Sequence, residues 1–264
     1  MQKQEKINPM CKVIAVANNK GGVGKTTTVA ALAYAWSAKG YKVLLVDLDS
    51  QANLTLITSP TPVEDIEKTV KEPLIYEVEV PIIKLSDKLD LIPSGLELSN
   101  FENEVAGMSC REFLVSDMLN KLKPNYDVIL IDCPPALGLL TYNALVAADH
   151  LLMTASADSL SYSGMLMIAG LAKKIRENSR LNPNLKTSGV IITKYKPNKL
   201  SKTFVEKIRR EIGSALIEPP IREGTKIQQA TAFHQSIFSY DPEGNATKDY
   251  LEVADVLEKR ILNV

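Results

Sequence analysis

One stretch of this chain limits its fold more than any other: Asn18-Asn19-Lys20-Gly21-Gly22-Val23-Gly24-Lys25-Thr26-Thr27-Thr28. It follows an apolar run at 13–17 and leads into the helical spacing of Val29, Leu32, Ala33 and Trp36. Glycines therefore join a strand to a helix. Gly21, Gly22 and Gly24 permit unusual backbone angles and close approach, so successive N–H groups can converge on a phosphate at a helix N-terminus. In such a loop Lys25 neutralises phosphate oxygens and Thr26 offers its hydroxyl to Mg²⁺. A glycine turn that merely links strand to helix explains neither the second lysine, Lys20, nor the triple threonine.

Short β-branched runs recur at 13–17, 43–47, 89–92, 128–132, 150–155 and 189–193, each followed by a longer segment of helical period. This alternation predicts an α/β fold, with a doubly wound, mostly parallel sheet covered by helices on both faces. No low-complexity linker or repeat divides the chain, so one domain over 13–264 is expected after a leader at 1–12.

With 31 Lys+Arg against 31 Asp+Glu in 264 residues, the net charge is zero, which excludes a uniformly basic coat protein. Cys11, Cys110 and Cys133 show no C-x-x-C spacing and are odd in number, against both a disulfide framework and a zinc site. His150 and His234 have no partner at ligand spacing and read as structural or surface residues. The charged first residues do not form a signal peptide, and no apolar run is long enough to span a membrane. A cytoplasmic location follows as the expectation.

Charge is segregated along the chain. Eleven acids and four lysines occupy 61–104, whereas 194–210 holds seven basic residues and the single acid Glu206. Within 199–212, Leu200, Phe204, Ile208 and Ile212 recur every four residues, predicting a buried stripe that leaves Lys199, Lys202, Arg209 and Arg210 outside.

The loop resembles that of the ParA/MinD family of deviant Walker ATPases, whose hallmark is K-G-G-x-G-K-T-S/T, although Asn19 stands where the general phosphate-loop pattern has glycine. Val43-Leu44-Leu45-Val46-Asp47-Leu48-Asp49-Ser50-Gln51-Ala52-Asn53-Leu54-Thr55 is similar to the family's second block, with Ser50 where proline is usual. Val128-Ile129-Leu130-Ile131-Asp132-Cys133-Pro134-Pro135 resembles its Walker B strand. The resemblance is closest to ParA/Soj-type partition proteins lacking an N-terminal helix-turn-helix domain, because little chain precedes residue 13.

The resemblance implies ATP or ADP and Mg²⁺ as cofactors. Nucleotide contacts fall to Lys20, Gly21, Gly22, Val23, Gly24, Lys25, Thr26 and Thr27, with Lys194 and Pro220 near the adenine. Thr26, Asp47 and Asp132 serve the metal, and Asp49 orients the attacking water. Lys20 is the signature lysine, reaching in trans across an ATP-bound homodimer, with Asp158 at the dimer face in place of a glutamate. The partition branch binds non-specific DNA, here through Lys199, Lys202, Arg209, Arg210, Arg222 and Lys226. It also implies nucleoid association and a ParB-like partner that stimulates hydrolysis. The MinD branch offers the alternative of a membrane-associated positioning ATPase, but 249–262 carries few cations, so packing against the core is expected rather than stable membrane association. An electron carrier with an Fe–S cluster and a small-molecule kinase or synthetase are further alternatives.

Overall fold

The computed structural model describes residues 11–262. Its strands are β1 (Lys12–Ala17), β2 (Val43–Asp47), β3 (Ile83–Ser86), β4 (Leu89–Ile92), β5 (Val128–Asp132), β6 (His150–Ser156), β7 (Lys186–Thr193) and β8 (Leu216–Ile217). They form one sheet in the order β3-β4-β2-β5-β1-β6-β7-β8. Every pairing is parallel except β3 with β4. The expected doubly wound sheet is therefore present. The sequence reading does not contain β3 and β8, which are edge strands without a continuous apolar run. Residues 1–10 of the expected leader lie outside the described residues. Its end belongs to the fold: Cys11 is buried and Lys12 opens β1.

The helices are α1 (Lys25–Ala38), α2 (Asn53–Thr58), α3 (Lys71–Ile75), α4 (Phe101–Glu104), α5 (Leu114–Leu122), α6 (Leu139–Ala147), α7 (Ser159–Glu177), α8 (Lys199–Ile212), α9 (Thr225–Ala232), α10 (Ile237–Tyr240) and α11 (Asn245–Leu257). Side chains alternate across the sheet. Val13, Ala15 and Ala17 of β1 face one core with residues of α5, α6, α7 and α8, whereas Ile14 and Val16 face the other with α1 and α11. Because both faces are covered, the central strands carry no polar alternation, and this produces the uniform apolar runs of the sequence.

Helix α1 is wedged between the sheet and α11. Trp36 is fully buried, and its indole N–H donates to the Ala254 carbonyl at 3.2 Å. The apolar face of α11 is consumed by this contact: Tyr250, Val253, Ala254 and Leu257 are buried, as is Ile261 beyond it. The expectation that 249–262 packs against the core holds for the described residues. No described helix is long and apolar enough to cross a membrane.

The stripe expected on α8 needs correction. Leu200 is 77% exposed, while Ser201, Val205 and Ile208 form the buried line, with Phe204 and Ile212 only partly covered. Leu200 lies in the first turn beside the buried Ser201 but off the line that Ser201, Val205 and Ile208 define. The strict four-residue spacing drifts around a 3.6-residue helix and follows the wrong seam. Truncating Trp36 to alanine removes the largest buried side chain joining α1 to α11. Chemical denaturation of Trp36→Ala is expected to show a loss of about 3–5 kcal/mol.

Candidate functional site

The carboxyl ends of β1, β2, β5 and β7 meet at one edge, where α/β sheets hold ligands. The loop between β1 and α1 lies there. Gly22 (φ 69°) and Gly24 (φ 77°) adopt left-handed conformations, and a Cβ on Gly24 would come within 3.2 Å of Thr193. Gly21 has neither constraint, so two of the three glycines are conformationally required. Gly24 caps α1, and Lys25, Thr26 and Thr27 form its first turn, where N–H groups lack helical acceptors. The Thr193 hydroxyl donates to the Val23 carbonyl at 2.9 Å, tying the loop to the end of β7.

The register places Asp132 beside both Val16 and Asp47. Thr26 donates its hydroxyl to Asp132 Oδ2 at 2.6 Å, while Asp132 Oδ1 is buried without a partner among the described residues. Burial, reinforced by Asp47, raises the Asp132 pKa well above the usual carboxylate range. An unsatisfied carboxylate oxygen next to a threonine hydroxyl fits a hard divalent cation, which would neutralise the charge that burial makes costly. Lys25 is buried, donates to the Lys20 carbonyl at 3.2 Å, and has its pKa pushed down by burial against the opposing pull of Asp132.

Asp47 is engaged otherwise than the metal-shell expectation held. Its Oδ2 accepts from the Thr55 N–H at 2.9 Å and the Thr55 hydroxyl at 2.8 Å, and its Oδ1 accepts from the Asp49 N–H. Complete burial lifts its pKa to about 6 despite these bonds. Both oxygens thus hold the turn that follows β2. That turn aims Asp49, whose Oδ1 accepts from Gln51 N–H at 3.0 Å and whose carbonyl accepts from the Ser94 hydroxyl at 2.8 Å. Thr55 ends the second block but is given no role by the sequence, and Ser94 lies outside every motif, 39 residues from the Thr55 hydroxyl that receives its N–H.

Lys20 donates to Asp158 Oδ1 of the same chain at 2.9 Å. Asp158 caps α7 through Ser161 N–H and also receives the Ser156 hydroxyl. Burial alone would raise the Asp158 pKa, but the bonds from Ser156, Lys20 and Ser161 hold it below the ordinary value. The start of the loop is anchored to the same helix by the fully buried Asn18, which donates to the carbonyls of Thr154 and Ser161 at 2.6 and 3.1 Å. Asn18, like Thr55 and Ser94, has a role that the sequence does not reveal.

Lys194, with φ 51°, brings its ammonium close to Gly22, and the 219–221 segment runs beside the end of β7 through the Ile221 N–H to Ile192 carbonyl bond at 2.7 Å. Pro220 is therefore near this edge, beside a cavity of about 250 Å³ lined by Tyr195, Pro197, Arg222, Gly224 and Lys226. The basic residues do not form one uniform patch. Lys199, Lys202, Arg209, Arg210 and Lys226 are exposed. Arg209 pairs with Glu218, and Lys226 lies over the Tyr240 ring at 5.5 Å. Arg222 departs from the expectation of a free DNA contact, because its guanidinium grips the buried Asp249 carboxylate, with an Nη2 distance of 2.6 Å.

Comparison with known proteins agrees with this geometry. A family model described as an AAA domain matches residues 11–187. The chromosome partitioning protein ParA of Caulobacter vibrioides is 32% identical over 258 residues, covering 94% of this chain and 93% of that protein. The sporulation initiation inhibitor protein Soj of Bacillus subtilis is 33% identical over 251 residues, covering 93% and 97%. Among solved structures, cobyrinic acid a,c-diamide synthase from Mycobacterium smegmatis, with bound ADP and magnesium, superposes with a TM-score of 0.82 at 30% identity, covering 95% of each chain. A plasmid partition protein from Borrelia burgdorferi gives 0.77 at 26% identity, covering 96% and 100%. Likeness that runs along nearly the full length of the chain and of its relatives means that this protein belongs to the ParA/MinD family of ATPases.

Proposed function

We propose that this chain is an ATP-dependent partition ATPase: ATP binding drives a homodimer that holds DNA without sequence preference, and hydrolysis stimulated by a ParB-like partner releases it. The observation that carries the reading is the gathering of Lys25, Thr26 and Asp132 at one sheet edge, with Asp49 close enough to act on the Lys25 charge. Likeness to ParA and Soj supports the partition branch.

In this reading Thr26 and Asp132 would hold Mg²⁺, which would supply positive charge against the phosphates. The N–H groups of 21–27 and the Lys25 ammonium bind the phosphate oxygens. Asp49 orients the attacking water, a contribution made by positioning. Lys20 leaves Asp158 and reaches the phosphates held by the second subunit, acting as an arginine finger does. Lys194 and the 219–221 segment close over the base. DNA phosphates are met by Lys199, Lys202 and Arg210, with Arg209 and Lys226 beside them.

Lys25→Ala is expected to abolish ATP binding in equilibrium dialysis. Asp49→Ala is expected to retain ATP and accumulate dimer by light scattering; a monomeric Asp49→Ala protein in saturating ATP would contradict the mechanism. Replacing Lys199, Lys202 and Arg210 with glutamine should weaken ATP-dependent DNA retention about tenfold or more and flatten its salt dependence. Unchanged retention would remove the basic face from the mechanism, and ATP-dependent flotation with liposomes would favour the membrane-associated alternative.

A further inference from the structure

At the opposite edge of the sheet, where the parallel strands begin, lies a cavity of about 480 Å³ that the ATPase reading leaves unused. Lys12 opens β1, Lys186 opens β7, and Arg260 comes from the π-helical turn 258–262 after α11. All three line the cavity, together with His150, Ser188 and Ser214, and none of its lining residues is acidic. In a chain of zero net charge, three cations from three separate elements around one concavity are not what average composition supplies. The cavity is within the size range of small-molecule sites.

The polar groups are partly fixed in advance. His150 and Ser188 are buried, with Nδ1 and Oγ 2.6 Å apart. Arg260 donates to the Ser188 carbonyl at 3.0 Å, which holds the guanidinium against the rim. Burial lowers the His150 pKa against the opposing pull of Asp149, and the charges of Lys12 and Lys186, which line the same cavity, lower it further. Neither lysine forms an ion pair among the described residues. The neighbouring carboxylate, Asp149, is turned to β1, where it accepts the Val13 N–H at 2.8 Å. Complementing the C-terminal dipole of a helix accounts for Arg260, but not for two lysines that begin strands.

We infer that this cavity is a second anion site, which takes a small, multiply charged phosphate compound such as a diphosphate. Phosphate suits a lining of ammonium, guanidinium and hydroxyl donors, because its several oxygens accept from all of them at once. The six residues of β1 place the site about 17 Å from the end of the strand that enters the phosphate loop, at ~3.3 Å per residue, so one ligand cannot occupy both. The inference does not depend on the partition reading.

The test uses the full chain and inorganic pyrophosphate, followed in residue-resolved ¹H–¹⁵N spectra that separate this cavity from the phosphate loop. Pyrophosphate should shift the amides of Thr187, Ser188 and Ala215. The midpoint should weaken about tenfold or more in Lys12→Gln/Lys186→Gln, as loss of two charge-assisted contacts requires. The spectrum of that variant elsewhere reports that the fold is kept, and the single variants serve if the double one does not fold. Absence of the shifts, their equal appearance with sodium chloride at matched ionic strength, or an unchanged midpoint in the variants would overturn the inference. Shifts produced by a short DNA duplex but not by pyrophosphate would also overturn it, by assigning the surface to nucleic acid.

Discussion

The structure depends on burying charge at the end of an apolar sheet. Asp47, Asp49, Asp132 and Lys25 all lie almost out of solvent. Ionised groups in such surroundings are costly unless partners or ligands compensate them. Each is compensated differently. Asp47 is satisfied by Thr55 and the Asp49 N–H, Asp132 only on one oxygen by Thr26, and Lys25 only by a backbone carbonyl. The gradient from a fully satisfied aspartate to a half-satisfied one runs toward the loop. What remains unsatisfied there is what a nucleotide and its cation can satisfy, and the cores on both sheet faces sustain the cost in the meantime.

This division of labour separates three aspartates that look alike in sequence. Asp47 fixes the turn, Asp49 is presented by it, and Asp132 shares Thr26 with the loop. The same holds for the two lysines. Lys25 is sunk into the site, whereas Lys20 is half exposed and engaged with Asp158, the residue that caps α7. A lysine held by a helix cap at a partly solvated rim is easily exchanged, since such exposed pairs contribute only about 0–1 kcal/mol. Breaking it therefore costs little. Asn18, Lys20 and Asp158 together link the loop to α7.

The basic segment illustrates where a count of charges misleads. Seven cations fall within 194–210, yet Arg209 pairs with Glu218, Lys196 with Glu223 and Lys207 with Glu211. Beyond the segment, Arg222 is bound to Asp249. The acids that neutralise these cations are scattered and were invisible to a local sum. The opposite edge shows the converse: Lys12, Lys186 and Arg260 are far apart in sequence and gather around one cavity.

The sequence alone determined the sheet class, the phosphate loop and the carboxylates at the strand ends, because these signals are local. A strand buried on both faces must be apolar along its length, a loop that cradles phosphate requires glycine at left-handed positions such as Gly22 and Gly24, and a carboxylate reaches the ligand edge only where its strand stops. Only the tertiary structure decided which aspartate is engaged where, that Leu200 is outside while Val205 is inside, that Asn18, Thr55 and Ser94 hold the site, and which cations have partners. Apart from the bonds within the turn after β2, those outcomes rest on contacts between residues tens to hundreds of positions apart. Hydrogen bonding and charge pairing act over a few ångströms of space, and sequence spacing carries no measure of that distance until the chain has folded.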